Sequence, residues 1–315
     1  MTKYSKRKKI VLILILLFLT TGCTKTLTDK DNKAVKNEVT GQTLTKNILC
    51  KPTNKTTSNI YKKYKVNIDK LPECKDFKIT SGKYEGLWNS FFVKPLAYIL
   101  IQLGKFIGNY GISVITISLL IRLIAFPITK KTAMQSEILK KAQPELNRIQ
   151  KKYENKQDQE SMIKQNQEMM AIYKKYNIKP LSGCLFSFIQ LPLFVAFLEA
   201  INRVPAIFEE KFLLFHLGTS PMIGIKGGNY WYILIIIIVG ITTYFSFKLN
   251  SGASAGGNNE AMKKQTDMMM NTFLVMIVIM SIFMTSALGI YWITSNLFTI
   301  VQNLIVKRSV KNEKV

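Results

Sequence analysis

Residues Gly111 to Lys131 read GISVITISLLIRLIAFPITKK, an apolar run interrupted by one permanent cation, Arg122, with no acid in the same span. At about 1.5 Å per residue a helix of this length crosses the roughly 30 Å hydrocarbon core of a bilayer. A guanidinium at mid-membrane costs about 2.5–3.5 kcal/mol on insertion scales, so Arg122 must face a polar or wet cavity or escape to the interface. The boundary at Thr129, Lys130 and Lys131 lies about two helical turns away, within snorkelling reach. From this helix alone both readings stand.

Outward from that stretch, the 315 residues carry a net charge of +25 and are 48% hydrophobic. The apolar residues are bunched into long blocks and the basic ones flank them, which defines an all-α polytopic membrane protein. The charge prompts a search for nucleic-acid motifs, and none of the usual kinds is present. Anionic lipid head groups and an RNA-containing partner such as the ribosome fit the charge equally well.

Taken in order, residues 1–22 have a basic start, a short apolar run from Ile10 to Leu19 and small residues before Cys23. That is a lipoprotein-type signal peptide, which would leave a lipidated Cys23, although Thr20 stands where leucine is usual; an uncleaved signal anchor is the alternative. Residues 23–87 form a polar segment rich in Lys, Thr and Asn, expected to be exported and mostly extended. Cys50 and Cys74 within it either pair in an oxidising compartment or remain free thiols. Residues 88–108 are two-faced. Lys94, Tyr98, Gln102, Lys105 and Asn109 follow helical spacing on one side and Phe92, Leu96, Ile99, Leu103 and Phe106 take the other, which predicts an amphipathic interfacial helix.

The first span, 109–129, leads into a cytoplasmic helical hairpin, 130–182. From Lys130 to Leu181 it has twelve Lys and Arg against six acids, the mark of the cytoplasmic side. Its two helices are expected at Lys131 to Tyr153, kinked at Pro144, and Gln157 to Tyr176. An apolar stripe on the second (Met162, Met169, Met170, Ile172, Tyr173) suits packing inside the hairpin or docking of a partner. The remaining spans are 183–203, 230–248, 268–287 and 288–306, separated by an exported loop at 204–229 and a cytoplasmic loop at 249–267, and followed by a basic tail at 307–315. Five spans behind an exported start put the C-terminus in the cytoplasm.

Enzymatic chemistry finds little support. There is one histidine, His216, and no phosphate loop, nucleophile elbow or metal-ligand spacing, so no cofactor or metal is expected. Cys184 has no sequence partner, and Glu199 and Asp267 lie near span ends, where acids are usually solvated. The spans instead offer uncharged polar groups on particular faces: Ser187 and Gln190 in the second, Tyr291, Ser295, Asn296, Thr299 and Gln302 in the last. Such groups either bond between helices or line one hydrated recess with Arg122. Met269, Phe273, Met276, Met280 and Met284 form a stripe that suits adaptable apolar binding, packing or lipid contact.

Four stretches together are distinctive: SLLIRLIAFPIT (Ser118 to Thr129), QPELNRIQKKY (Gln143 to Tyr153), IKPLSGCLFSFIQLPLFVAF (Ile178 to Phe197) and GIYWITSNLFTIVQN (Gly289 to Asn303). From Trp88 to Lys307 the chain resembles the YidC/Oxa/Alb family of membrane protein insertases, in the five-span form with a lipoprotein signal. The resemblance implies a bundle around a hydrophilic groove open to cytoplasm and lipid, with Arg122 inside it. By the same resemblance Ser118, Gln190, Tyr291, Ser295, Asn296 and Gln302 line the groove, and Met276, Met280, Met284, Phe194 and Phe197 form an apolar slide. Nascent membrane proteins are the implied clients, and ribosome and Sec translocon the implied associates. Two departures stand out: the basic tail is short, and Ser286-Ala287 replaces the proline-alanine found in many members. A small-anion transporter drawn to Arg122 and a non-catalytic membrane assembly lipoprotein are the rival readings; the first lacks deep coupling acids.

Overall fold

The computed structural model describes residues 24–156, 158–179, 182–250 and 260–312. The expected signal peptide, Cys23 and residues 251–259 of the 249–267 loop lie outside them, as do the side chains of Cys184 and Ser187. The helices are α1 (Lys55–Lys63), α2 (Lys94–Ile107), α3 (Tyr110–Tyr153), α4 (Gln159–Lys175), α5 (Ser182–Arg203), α6 (Pro205–Phe208), α7 (Pro221–Lys226), α8 (Tyr232–Asn250), α9 (Glu260–Phe283) and α10 (Ser286–Asn312). A hairpin of β1 (Lys211–Phe212) and β2 (Phe215–His216) precedes α7. Among the described residues, three helical stretches are long and apolar enough to cross a membrane: Asn89–Ile107, Tyr110–Tyr153 and Tyr232–Leu249.

The described residues fall into two compact units, one drawn from 24–117, 191–233 and 283–291, the other from 118–190, 234–282 and 292–312. In the second, polarity is inverted relative to a water-soluble fold. Leu119, Leu120, Leu123 and Ile124 of α3 are exposed while Ser118, Arg122 and Thr129 are buried. Helix α8 repeats the pattern, with Ile237, Ile238 and Ile241 outside and Thr242, Thr243 and Ser246 inside. Large apolar side chains outward and polar ones inward make sense only where the solvent is hydrocarbon, and the molecule is a multi-pass all-α membrane protein.

The first unit corrects the expectation that residues 24–85 are extended. Leu27, Val35, Leu44, Ile48, Tyr61 and Ile68 converge on Phe208 in a small core, and a Cys50–Cys74 disulfide closes the segment. Composition misleads here because the apolar residues are few, yet they meet at one point. A covalent staple is the usual supplement for a core this small. Asn54 caps α1, its side chain accepting from the Thr56 and Thr57 amides. Thr53 and Asn54 donate to Glu209, and the Leu49 amide donates to the Arg203 carbonyl, which ties the segment to the end of α5 and to α6.

Lys94 is also corrected. It lies on the polar side of α2, but it is buried and its Nζ donates to the carbonyls of Ser81 and Lys83. Phe92, Ile99 and Phe106 on the other side are exposed.

In the second unit the first span and the first hairpin helix are one 44-residue helix, α3, which runs through Pro127 and Pro144. Helix α4, capped by Asp158, folds back on it. Ala142, Leu146 and Ile178 pack with Met169, Ile172 and Tyr173, whereas Met162 and Met170 remain exposed. The stripe on α4 therefore divides, half packing inside the hairpin and half outward. Lys175 and Tyr176 both bond Glu145, and Lys152 and Tyr153 both bond Glu168. Lys140 donates to the Leu249 carbonyl and Lys141 to that of Val310, where helix C-termini favour cations.

Candidate functional site

Helical spacing assembles one polar face of α3. Ser118, Arg122 and Thr129 are separated by four and seven residues, so their side chains fall on one side of the helix. Arg122 is 6% exposed, and its Nη2 donates to Gln190 Oε1 on α5 at 2.5 Å. A charge-assisted bond of this kind is worth about 1.5–3 kcal/mol and accounts for why the guanidinium turns inward rather than toward the interface. Two turns on, Thr129 Oγ1 donates to Gln302 Oε1 at 2.8 Å. In the same unit Thr243 Oγ1 accepts from both Trp292 Nε1, at 3.0 Å, and Asn296 Nδ2, at 2.9 Å. Ser295 is buried beside them in sequence, and its Oγ has no hydrogen-bond partner among the described residues.

Arg122, Gln190, Ser118, Ser295, Asn296 and Gln302 thus all belong to the second unit. Tyr291 does not. It lies in the first unit, fully buried and stacked on Phe197 with ring centroids 4.2 Å apart, with Phe194 at 6.3 Å. Phe197 has no exposed surface and packs against Tyr291. Met276 and Met280 are exposed and Met284 is half-buried.

Sequence reasoning misses Thr243 and Thr129. Both sit in runs dominated by isoleucine, leucine and phenylalanine, where a hydroxyl at helical spacing from other polar residues is the available signal. It also misses a buried polar cluster in the first unit. Arg203, wholly inaccessible, donates to the Asn47 carbonyl, to Asn89 Oδ1 and to Glu85. Glu199, whose span-end position predicts solvation, is instead 3% exposed, accepts from Trp88 Nε1 and lies 4.0 Å from Arg203. Its burial arises because residues 85–89 cover the end of α5.

Ser286 meets its departure from the proline pattern with a bond. Its Oγ and amide both donate to the Thr219 carbonyl, and the Ala287 amide donates to the Leu217 carbonyl, which fixes the turn between α9 and α10.

A polytopic helical membrane protein with a buried arginine held on a polar helix face is the class that fold and site define. The family described as 60Kd inner membrane protein matches residues 102–314. The chain is 34% identical to membrane protein insertase YidC of Oceanobacillus iheyensis over 73% of its own length and 87% of the relative's. It is 34% identical to membrane protein insertase MisCA of Bacillus subtilis, over 70% and 79% respectively. It is 37% identical to a YidC of Alkalihalophilus pseudofirmus, over 70% and 82%. The chain belongs to this family, the YidC/Oxa/Alb group.

Proposed function

We propose that this chain is a membrane protein insertase. A client enters a hydrophilic intramembrane recess and its apolar segment leaves sideways into lipid, with or without a Sec translocon. The observation that carries the reading is Arg122, buried on the Ser118–Thr129 face and bonded to Gln190. A fixed cation inside an otherwise apolar span attracts the short acidic exported segment of a client and lowers the barrier to its passage. Ser118, Ser295, Asn296 and Gln302 supply the polar surroundings. Met276 and Met280, both exposed, supply an adaptable apolar path along which the departing helix slides. The client's own apolar surface supplies the driving force, about 25 cal/mol per Å² buried, so no nucleotide is required.

The same reading assigns residues 1–22 as a lipoprotein signal, Cys23 as the anchor and residues 130–182 as the cytoplasmic receiving hairpin. It places residues 23–87 outside the bacterial membrane, and gives anionic lipid and ribosome as partners of the basic flanks. The test is rescue of a host depleted of its insertase, read by protease protection of a single-span client with an acidic exported tail. The parent and Arg122→Lys should restore insertion, while Arg122→Ala at equal abundance should leave it at the depleted level. Equal rescue by all three would remove the charge from the mechanism.

A further inference from the structure

The β1–β2 hairpin holds two leucines away from the protein. Lys211 pairs with His216 and Phe212 with Phe215, leaving Leu213 and Leu214 as the two-residue turn. Leu213 has a φ of +53°, at a position where glycine is the usual occupant of such turns. It is nonetheless 79% exposed, and Leu214 is 55% exposed. Their neighbours are well anchored. Phe212 packs so closely on Gly111 that a Cβ there has no room. Phe215 meets the Tyr232 ring edge-on at 5.3 Å, and the His216 amide donates to the Tyr232 hydroxyl at 2.8 Å. A rigid base presenting two exposed leucines, the first of them in the left-handed region, has no rationale in water.

The surroundings of the tip say what meets it. Asn229 Nδ2 donates to the Leu214 carbonyl, and Asn229 Oδ1 accepts from the Trp231 amide. The tip is therefore held beside Tyr230 and Trp231, which are 69% and 58% exposed. From there the apolar surface continues onto the start of α8, a helix long and apolar enough to cross a membrane, through the exposed Ile233. Tyrosine and tryptophan at the end of a span mark the head-group level. Lys211 and Lys226 are exposed nearby. The acids of the same loop are engaged elsewhere, Glu209 by Thr53 and Asn54, and Glu210 by the Tyr110 amide.

We propose that the Lys211–His216 hairpin is a lipid-seated finger. Leu213 and Leu214 enter the leaflet at the Tyr232 end of α8 beside the Tyr230–Trp231 belt, and Lys211 and Lys226 meet lipid phosphates. The finger is a second attachment of this loop to the bilayer besides the spans themselves. It is independent of whether Arg122 recruits clients.

The experiment uses the full chain with a benzophenone amino acid at Leu213, or at Val39, which is comparably exposed at 67% but outside the patch. Irradiation is carried out in native membranes and in phosphatidylethanolamine–phosphatidylglycerol vesicles. A phospholipid adduct at position 213 several-fold above that at position 39 is expected in both. Equal adducts at the two sites, or a polypeptide adduct dominating at position 213 in native membranes, would overturn the finger and assign the leucines to a protein partner. A second readout compares the parent with Trp231→Phe. The fluorescence lost in the variant should be quenched by bromine near the head of the acyl chain more than by aqueous iodide, and the reverse order would contradict the proposal.

Discussion

Two arginines show how differently a residue can declare itself. Arg122 is legible because it interrupts an apolar run; its partner Gln190 is 68 residues away, but on a span whose polar face is also readable. Arg203 sits at a span end, where a solvated cation is the default. Its partners Asn47 and Glu85 come from a segment 156 and 118 residues distant, and spacing cannot foretell that convergence. Yet Arg203 is fully buried with an ion pair to Glu85 at 2.6 Å. Glu85 is itself 35% exposed, so the loss on removing Arg203 falls chiefly on the buried Glu199 and the buried groups that accept from the guanidinium, and stays below the roughly 3–5 kcal/mol of a fully buried pair. Arg203→Ala should therefore lower the unfolding midpoint in detergent markedly. Arg203→Lys should recover only part of it, since one ammonium cannot reproduce a guanidinium fork reaching three partners. An unchanged midpoint in the alanine variant would show that the cluster carries no stability.

At the scale of elements, the long helices are readable from apolar blocks, whereas the fold of residues 24–85 is not, because a small core stapled by Cys50–Cys74 leaves little compositional trace. Loss of a disulfide typically costs about 2–4 kcal/mol. Cys50→Ser with Cys74→Ser should thus speed protease cleavage within residues 24–85 relative to the parent, with cleavage of the 130–182 hairpin unchanged. Equal cleavage rates would mean that the Leu27–Phe208 core suffices alone.

The hairpin carries a pH signature. Glu145 is held below the usual carboxylate range by the Lys175 and Tyr176 bonds, and Glu168 by those from Lys152 and Tyr153. Lys152 and Lys175 are correspondingly raised by their carboxylate partners. A depressed carboxyl adds stability above its unfolded value that is lost as pH falls through the folded one. A raised lysine adds stability below its unfolded value that is lost as pH climbs through the folded one. Amide exchange in α4, corrected for its intrinsic pH dependence, should therefore be slowest between about pH 5 and 10 and quicken on either side. A profile without the acid limb would contradict the role of the two glutamates.

At the scale of the whole molecule, the inverted polarity and the match over residues 102–314 agree on what kind of protein this is. The distinction between recess and slide residues is less legible. Tyr291 and Phe197 share the spacing and character of their neighbours, and only packing shows that they stack on each other. If the recess around Arg122 works as proposed, this chain moves a client's apolar segment into lipid without other machinery. The most direct measurement reconstitutes the purified full chain in vesicles lacking a Sec translocon, adds a single-span client with an acidic exported tail, and follows protease protection against empty vesicles. Protection well above the empty-vesicle level is expected with the parent, reduced to that level by Arg122→Ala. Protection no greater with the parent than with empty vesicles would contradict the proposed insertase function.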